Sequence, residues 1–143
     1  MMRKLGCVLL VDDNDSDNFL HNRVLDKAGI AQEVKIAENG KDALDLIFKE
    51  DVTSEIGGVF DKPDLIFLDI NMPVMDGWEF LREFRKRKGG TPEETVVVIL
   101  TTSLNPADKV KAEELLASGC FYYKPLTKDM LDKILQLHFP SYL

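Results

Sequence analysis

The sequence predicts an α/β fold, a doubly wound five-stranded parallel sheet with helices on both faces. Three observations predict it. Short apolar runs alternate strictly with segments of helical period, and such alternation implies right-handed βαβ units. The run Leu65-Ile66-Phe67-Leu68 is apolar throughout, as a strand buried on both faces must be. That run then meets a lone carboxylate, Asp69, and a loop. A charge that would be costly inside a strand is cheap at its C-terminal end, where open α/β sheets bind ligands.

Each element has its own signal. Gly6 to Val11 reads as the first strand. Ser16 to Ala28 reads as a helix with Phe19, Leu20, Val24 and Leu25 apolar and Gly29 as its stop. Glu33 to Ala37 is a short second strand, and Asn39-Gly40 opens a helix carrying Ala43, Leu44, Leu46 and Ile47. Asp64 to Asp69 is the third strand. Asp76-Gly77 opens the third helix, with Trp78, Phe80, Leu81 and Phe84 inward and a basic end that suits the macrodipole. Thr95 to Leu100, largely β-branched, is the fourth strand. Asn105-Pro106 caps the fourth helix. Phe121 to Tyr123 is the fifth strand, and Thr127 to about Leu137 the fifth helix. The polar connection Asp51 to Lys62 is longer than most such loops and reads as a surface insertion, with a partner-binding loop as the alternative.

Bulk properties exclude several classes. The 143 residues suit one domain, 1–143, with a full core. A net charge of −7 argues against nucleic acid and against an anionic membrane surface. Asp12-Asp13 interrupt the first apolar run, so no signal peptide is read there. No run approaches the ~18 apolar residues of a membrane span. A cytoplasmic location is therefore expected. Cys7 and Cys120 sit beside apolar runs and read as small buried hydrophobes. His21 and His138 read as ordinary surface histidines, and no His/Cys metal spacing exists.

The strand ends carry the chemistry. They hold Asp12-Asp13, Asp69, Thr101-Thr102-Ser103 and Lys124-Pro125, all on one edge of a doubly wound sheet. Three clustered carboxylates repel and need a counter-ion. An all-oxygen set with few protein ligands suits Mg²⁺. An ammonium and a hydroxyl beside them suit an oxyanion. Together they suit phosphoryl acceptance, with Asp69 as the in-line nucleophile.

Val11-Asp12-Asp13-Asn14, Asp69-Ile70-Asn71-Met72-Pro73-Val74-Met75-Asp76-Gly77, Leu100-Thr101-Thr102-Ser103 and Lys124-Pro125-Leu126 resemble the motifs of response-regulator receiver domains of two-component signalling. The resemblance covers nearly the whole chain and implies a flavodoxin-like, CheY-like (βα)5 fold. It implies that Asp69 is phosphorylated from a phosphohistidine of a sensor histidine kinase or phosphotransfer protein. It implies that Asp13, Asp69 and the Asn71 backbone carbonyl ligate Mg²⁺, with Asp12 acting through water. Lys124 would contact the phosphoryl group, Thr101 would swing toward it, and Phe121 would be the switch aromatic, where the family often has Tyr.

About 18 residues follow Pro125, and the last helix uses most of them, so no output domain is expected. Output would pass through the face of helix four, strand five and helix five to a downstream protein or a homodimer. The apolar tail Leu137 to Leu143 packs on the domain's own surface or serves a dimer. Phe19 or Leu20, with Leu126, is the expected apolar contact for the kinase, by proximity to the site. Asn71 and Ser103 would flank the water that slowly removes the phosphoryl group. Two rival classes stay open: a degenerate receiver acting as a phosphorylation-independent interaction module, and a Mg²⁺-dependent phosphatase working through aspartyl phosphate. The second is weakened by Asn71, which stands where such an enzyme needs an acid/base Asp.

Overall fold

The computed structural model describes residues 4–48, 62–87 and 95–142. Residues 51–61 of the long connection lie outside them. The chain runs β1 (Leu5–Val11), α1 (Asp15–Ala28), β2 (Ala31–Ala37), α2 (Gly40–Ile47), β3 (Leu65–Leu68), α3 (Gly77–Arg87), β4 (Val96–Thr101), α4 (Pro106–Leu115), β5 (Phe121–Tyr123) and α5 (Lys128–His138), ending in a 3₁₀ turn at Pro140–Tyr142. The five strands form one sheet in the order β2-β1-β3-β4-β5. Every pairing is parallel. This is the doubly wound order expected, with its switch point between β1 and β3.

Alternation along each strand divides the core in two. Leu9, Val11, Ile66, Leu68, Val97 and Ile99 face one side, against Ala43, Leu44 and Ile47 of α2, Phe80, Leu81 and Phe84 of α3, and Ala112 of α4. Val8, Leu10, Leu65, Phe67, Val98 and Leu100 face the other, against Leu25 of α1 and Leu131, Ile134 and Leu135 of α5. The central strands are buried on both faces, so their side chains are apolar up to the C-terminal end, where β4 closes with Thr101. Cys7 and Cys120 are both buried. Burial pushes the Cys120 thiol up to about 11, as befits an inert thiol. Phe139 packs against the second cluster, which ties the start of the tail to the domain's own surface.

Helix ends are set by side-chain caps. Asn14, Asn39, Asn105 and Thr127 each accept a backbone N–H from the first turn that follows. Gly29 closes α1 in the left-handed region, at φ 63°. Among the described residues, no helix is long and apolar enough to cross a membrane.

Candidate functional site

Strand register assembles the site. Val11 pairs with Leu68, so Asp12 and Asp69 leave the sheet side by side. Thr101 pairs with Tyr123, and the Lys124 N–H donates to the Thr101 carbonyl at 2.9 Å. The ends of β1, β3, β4 and β5 therefore converge on one edge. One oxygen each from Asp12, Asp13 and Asp69 lies within 4.8 Å of the others. Asp12 and Asp69 are buried, while Asp13 is exposed. Lys124 Nζ reaches Asp12 Oδ2 at 2.6 Å, Asp17 Oδ2 at 2.8 Å and Asp69 Oδ2 at 3.6 Å. Thr101 is fully buried, and its Oγ1 accepts the Ser103 N–H at 3.1 Å.

The backbone around Asp69 is fixed on both sides. Its N–H donates to Val11 O at 3.0 Å, and its Oδ1 accepts the Ile70 N–H at 2.9 Å. The Gly77 N–H donates to Ile70 O at 2.8 Å. A Cβ on Gly77 would lie 2.5 Å from the Asp69 carbonyl oxygen, so only glycine lets α3 approach this closely. Asn71 is exposed on the loop that follows Asp69. Phe121 packs edge-on to Tyr123, with ring centroids 5.3 Å apart.

The electrostatics match the burial. Desolvation holds the Asp69 carboxyl above the usual range, opposed by the charge of Lys124; Asp12 raises it further. Burial alone would lower Lys124, but its hydrogen bonds to Asp12 and Asp17 and the charge of Asp69 outweigh that, so it stays firmly protonated. One ammonium among four carboxylates leaves net negative charge, most of which a divalent cation would offset. The donor set fits such an ion: it is all oxygen, clustered and open to solvent on the Asp13 side.

Residues 8–136 match the response regulator receiver domain model. The chain belongs to the response-regulator receiver family. It is 34% identical over 135 residues to two-component response regulator ORR41 of Oryza sativa subsp. japonica, covering 94% of this chain and 95% of that one. A two-component response regulator from Cytophaga hutchinsonii superposes with TM-score 0.79 at 28% identity, covering 96% of this chain and 99% of that one. The Mn²⁺-bound form of response regulator Rcp1 superposes with TM-score 0.66 at 28% identity, covering 96% and 94%. Receiver domains take their signal from histidine kinases or phosphotransfer proteins, and the acidic pocket here has the form such a role requires.

Two sequence expectations need correction around this receiver site. Leu126 is buried, so it is no surface contact for a kinase; it packs in the second core cluster. His21 is also buried, not a surface residue. Phe19 and Leu20, of which one is expected at the surface, are both exposed. The phase of α1 is set instead by Asn18, His21 and Leu25, and Asn18 Nδ2 donates to the Asp12 carbonyl at 2.9 Å. Asn18 and His21 line a cavity of about 10 Å³ beside Asp12 and Asp69. Asn18 Oδ1 and His21 Nε2 find no protein partner, and a volume of that size admits about one water. Asp17 is the residue sequence reasoning missed altogether. One signal could have found it: it stands in the first turn of the helix that starts directly after the acidic pair.

Proposed function

We propose that this receiver domain is a phosphoacceptor in which Asp69 takes a phosphoryl group from a phosphohistidine on a sensor kinase or phosphotransfer protein. The observation that carries this reading is the convergence of Asp12, Asp13, Asp69, Thr101 and Lys124 at four strand ends. An Asp69 carboxylate oxygen attacks phosphorus, the P–N bond to imidazole breaks, and the leaving imidazole keeps the electron pair and gains a proton. Asp13, Asp69 and the Asn71 carbonyl would hold Mg²⁺, with Asp12 acting through water. When bound, the ion supplies charge neutralisation on the transferring oxygens. Lys124 contributes a fixed cation and Thr101 a hydroxyl donor to the product phosphoryl group. The exposed Phe19 and Leu20 on α1 offer the apolar surface for the donor protein.

Phosphorylation adds about 1.5–2 negative charges and three acceptor oxygens. Thr101 and Lys124 are drawn toward them, and Phe121 follows the space that Thr101 vacates. Ser103 links this movement to α4, because its Oγ donates to Asp108 in the first turn of that helix. The α4–β5–α5 face then presents a changed surface to a downstream protein or a second copy. The place for this exchange is the cytoplasm, beside the phosphodonor.

Intact-mass measurement after incubation with acetyl phosphate tests the reading. One added phosphoryl group is expected with Mg²⁺ present, none without it and none in Asp69→Asn. Multiple turnover of small phosphate esters would instead favour a phosphatase. Partner binding indifferent to Asp69→Asn would favour a constitutive interaction module.

A further inference from the structure

Lys124 has three N–H donors and three carboxylates around it, and the two nearest are not the phosphoacceptor. Asp17 stands in the first turn of α1. Its backbone N–H is held by the Asn14 cap at 2.9 Å, which aims its carboxylate at Lys124 from outside the strand ends. We propose that Asp17 is a positioning residue that holds Lys124 in a resting place and competes with the phosphoryl group for it. This rests on the reading of Asp69 as the phosphoacceptor and deepens it.

The competition follows from where the ammonium is held. Lys124 Nζ sits 2.6 Å from Asp12 and 2.8 Å from Asp17 but 3.6 Å from Asp69 Oδ2, beyond hydrogen-bond reach, so to bond a phosphoryl group there it must shift away from its two near partners. One contact must be given up. Asp12 and Asp69 side chains are 6% and 9% exposed, whereas Asp17 is 29% exposed. Water can take over the Asp17 carboxylate at the least desolvation cost, so its contact is the one released. Asp12 is further committed, since its Oδ1 also accepts the Asn14 N–H at 2.9 Å. By linkage, whatever strengthens the Asp17–Lys124 pair weakens the phosphorylated state equally. An α1 residue thereby sets how readily the site holds its phosphoryl group.

Beryllofluoride, a stand-in for the phosphoryl group, provides the test on the full chain. Its bound fraction is read by fluorine NMR at fixed Mg²⁺. Asp17→Asn is expected to lower the half-saturating concentration roughly three- to tenfold. Asp17→Glu, which keeps the charge, is expected to stay near the unaltered chain. An unchanged or raised midpoint in Asp17→Asn, even with a lower melting temperature, would show a merely structural role and overturn the proposal. So would Asp17→Glu behaving as Asp17→Asn. No bound signal in the unaltered chain would overturn the phosphoacceptor reading itself, an outcome distinct from either.

Discussion

At the scale of the residue, the site trades stability for chemistry. Asp69 is buried and its carboxyl is held above the ordinary range, chiefly by desolvation. Its ionised form is therefore disfavoured in the fold, and this group's contribution to stability falls as pH rises through its folded value. Asp69→Asn removes the charge while keeping the shape. We expect it to stabilise the domain by roughly 1–2 kcal/mol at neutral pH, read from urea unfolding. A destabilised variant would mean that the pair with Lys124 outweighs desolvation. His21 carries the opposite sign. Burial lowers it from the ordinary 6.5; the charge of Asp17 opposes this, and that of Lys124 adds to it. The unfolded chain then takes the proton first. The stability that neutral His21 contributes is complete above about pH 6.5 and is lost as pH falls toward the lower folded value. Melting temperature should drop between about pH 7.5 and pH 5.5, and less so in His21→Asn. An equal drop in both chains would remove His21 from the account.

At the scale of the element, what could be read from sequence depended on whether hydrophobicity alone decides the structure. For β3 and for β4 up to Leu100 it does, because both faces are covered and the side chains there must be apolar. β2 starts at Ala31, two residues before the expected Glu33. It is an edge strand whose start is set by Leu5 pairing with Ala31 across the sheet, not by its own polar beginning. α1 misled more seriously. Phe19 and Leu20 suggest one inward face, yet Asn18 and His21 point inward. A polar bond to the Asp12 backbone chose the phase, and apolar periodicity does not register such a bond. Gly77 was read only as a helix opener, whereas its lack of a Cβ is what lets α3 seat against Asp69. Gly77→Ala should cost about 1–3 kcal/mol, measured by urea unfolding, and displace the Asp69 loop. A neutral substitution would show that the loop gives way freely.

At the scale of the molecule, the receiver architecture was legible because topology did most of the placing. Strict alternation implies a parallel sheet, and a parallel sheet puts all strand ends carrying Asp12, Asp69, Thr101 and Lys124 on one edge. Asp17 was not legible in the same way, because it reaches the site from a helix and across 107 positions of sequence. The same topology connects the site to the surface. β4 ends at Thr101, β5 ends at Tyr123 just before Lys124, and α4 begins shortly after β4 at Pro106. Under the proposed function, a charge added at Asp69 would act on residues that lead to the α4–β5–α5 face. The most direct test of this account is to trap the adduct chemically. Acetyl phosphate and Mg²⁺, followed by borohydride reduction and peptide mass mapping, should convert Asp69 alone to homoserine. Reduction at Asp12 or Asp13, or no reduced residue at all, would contradict it.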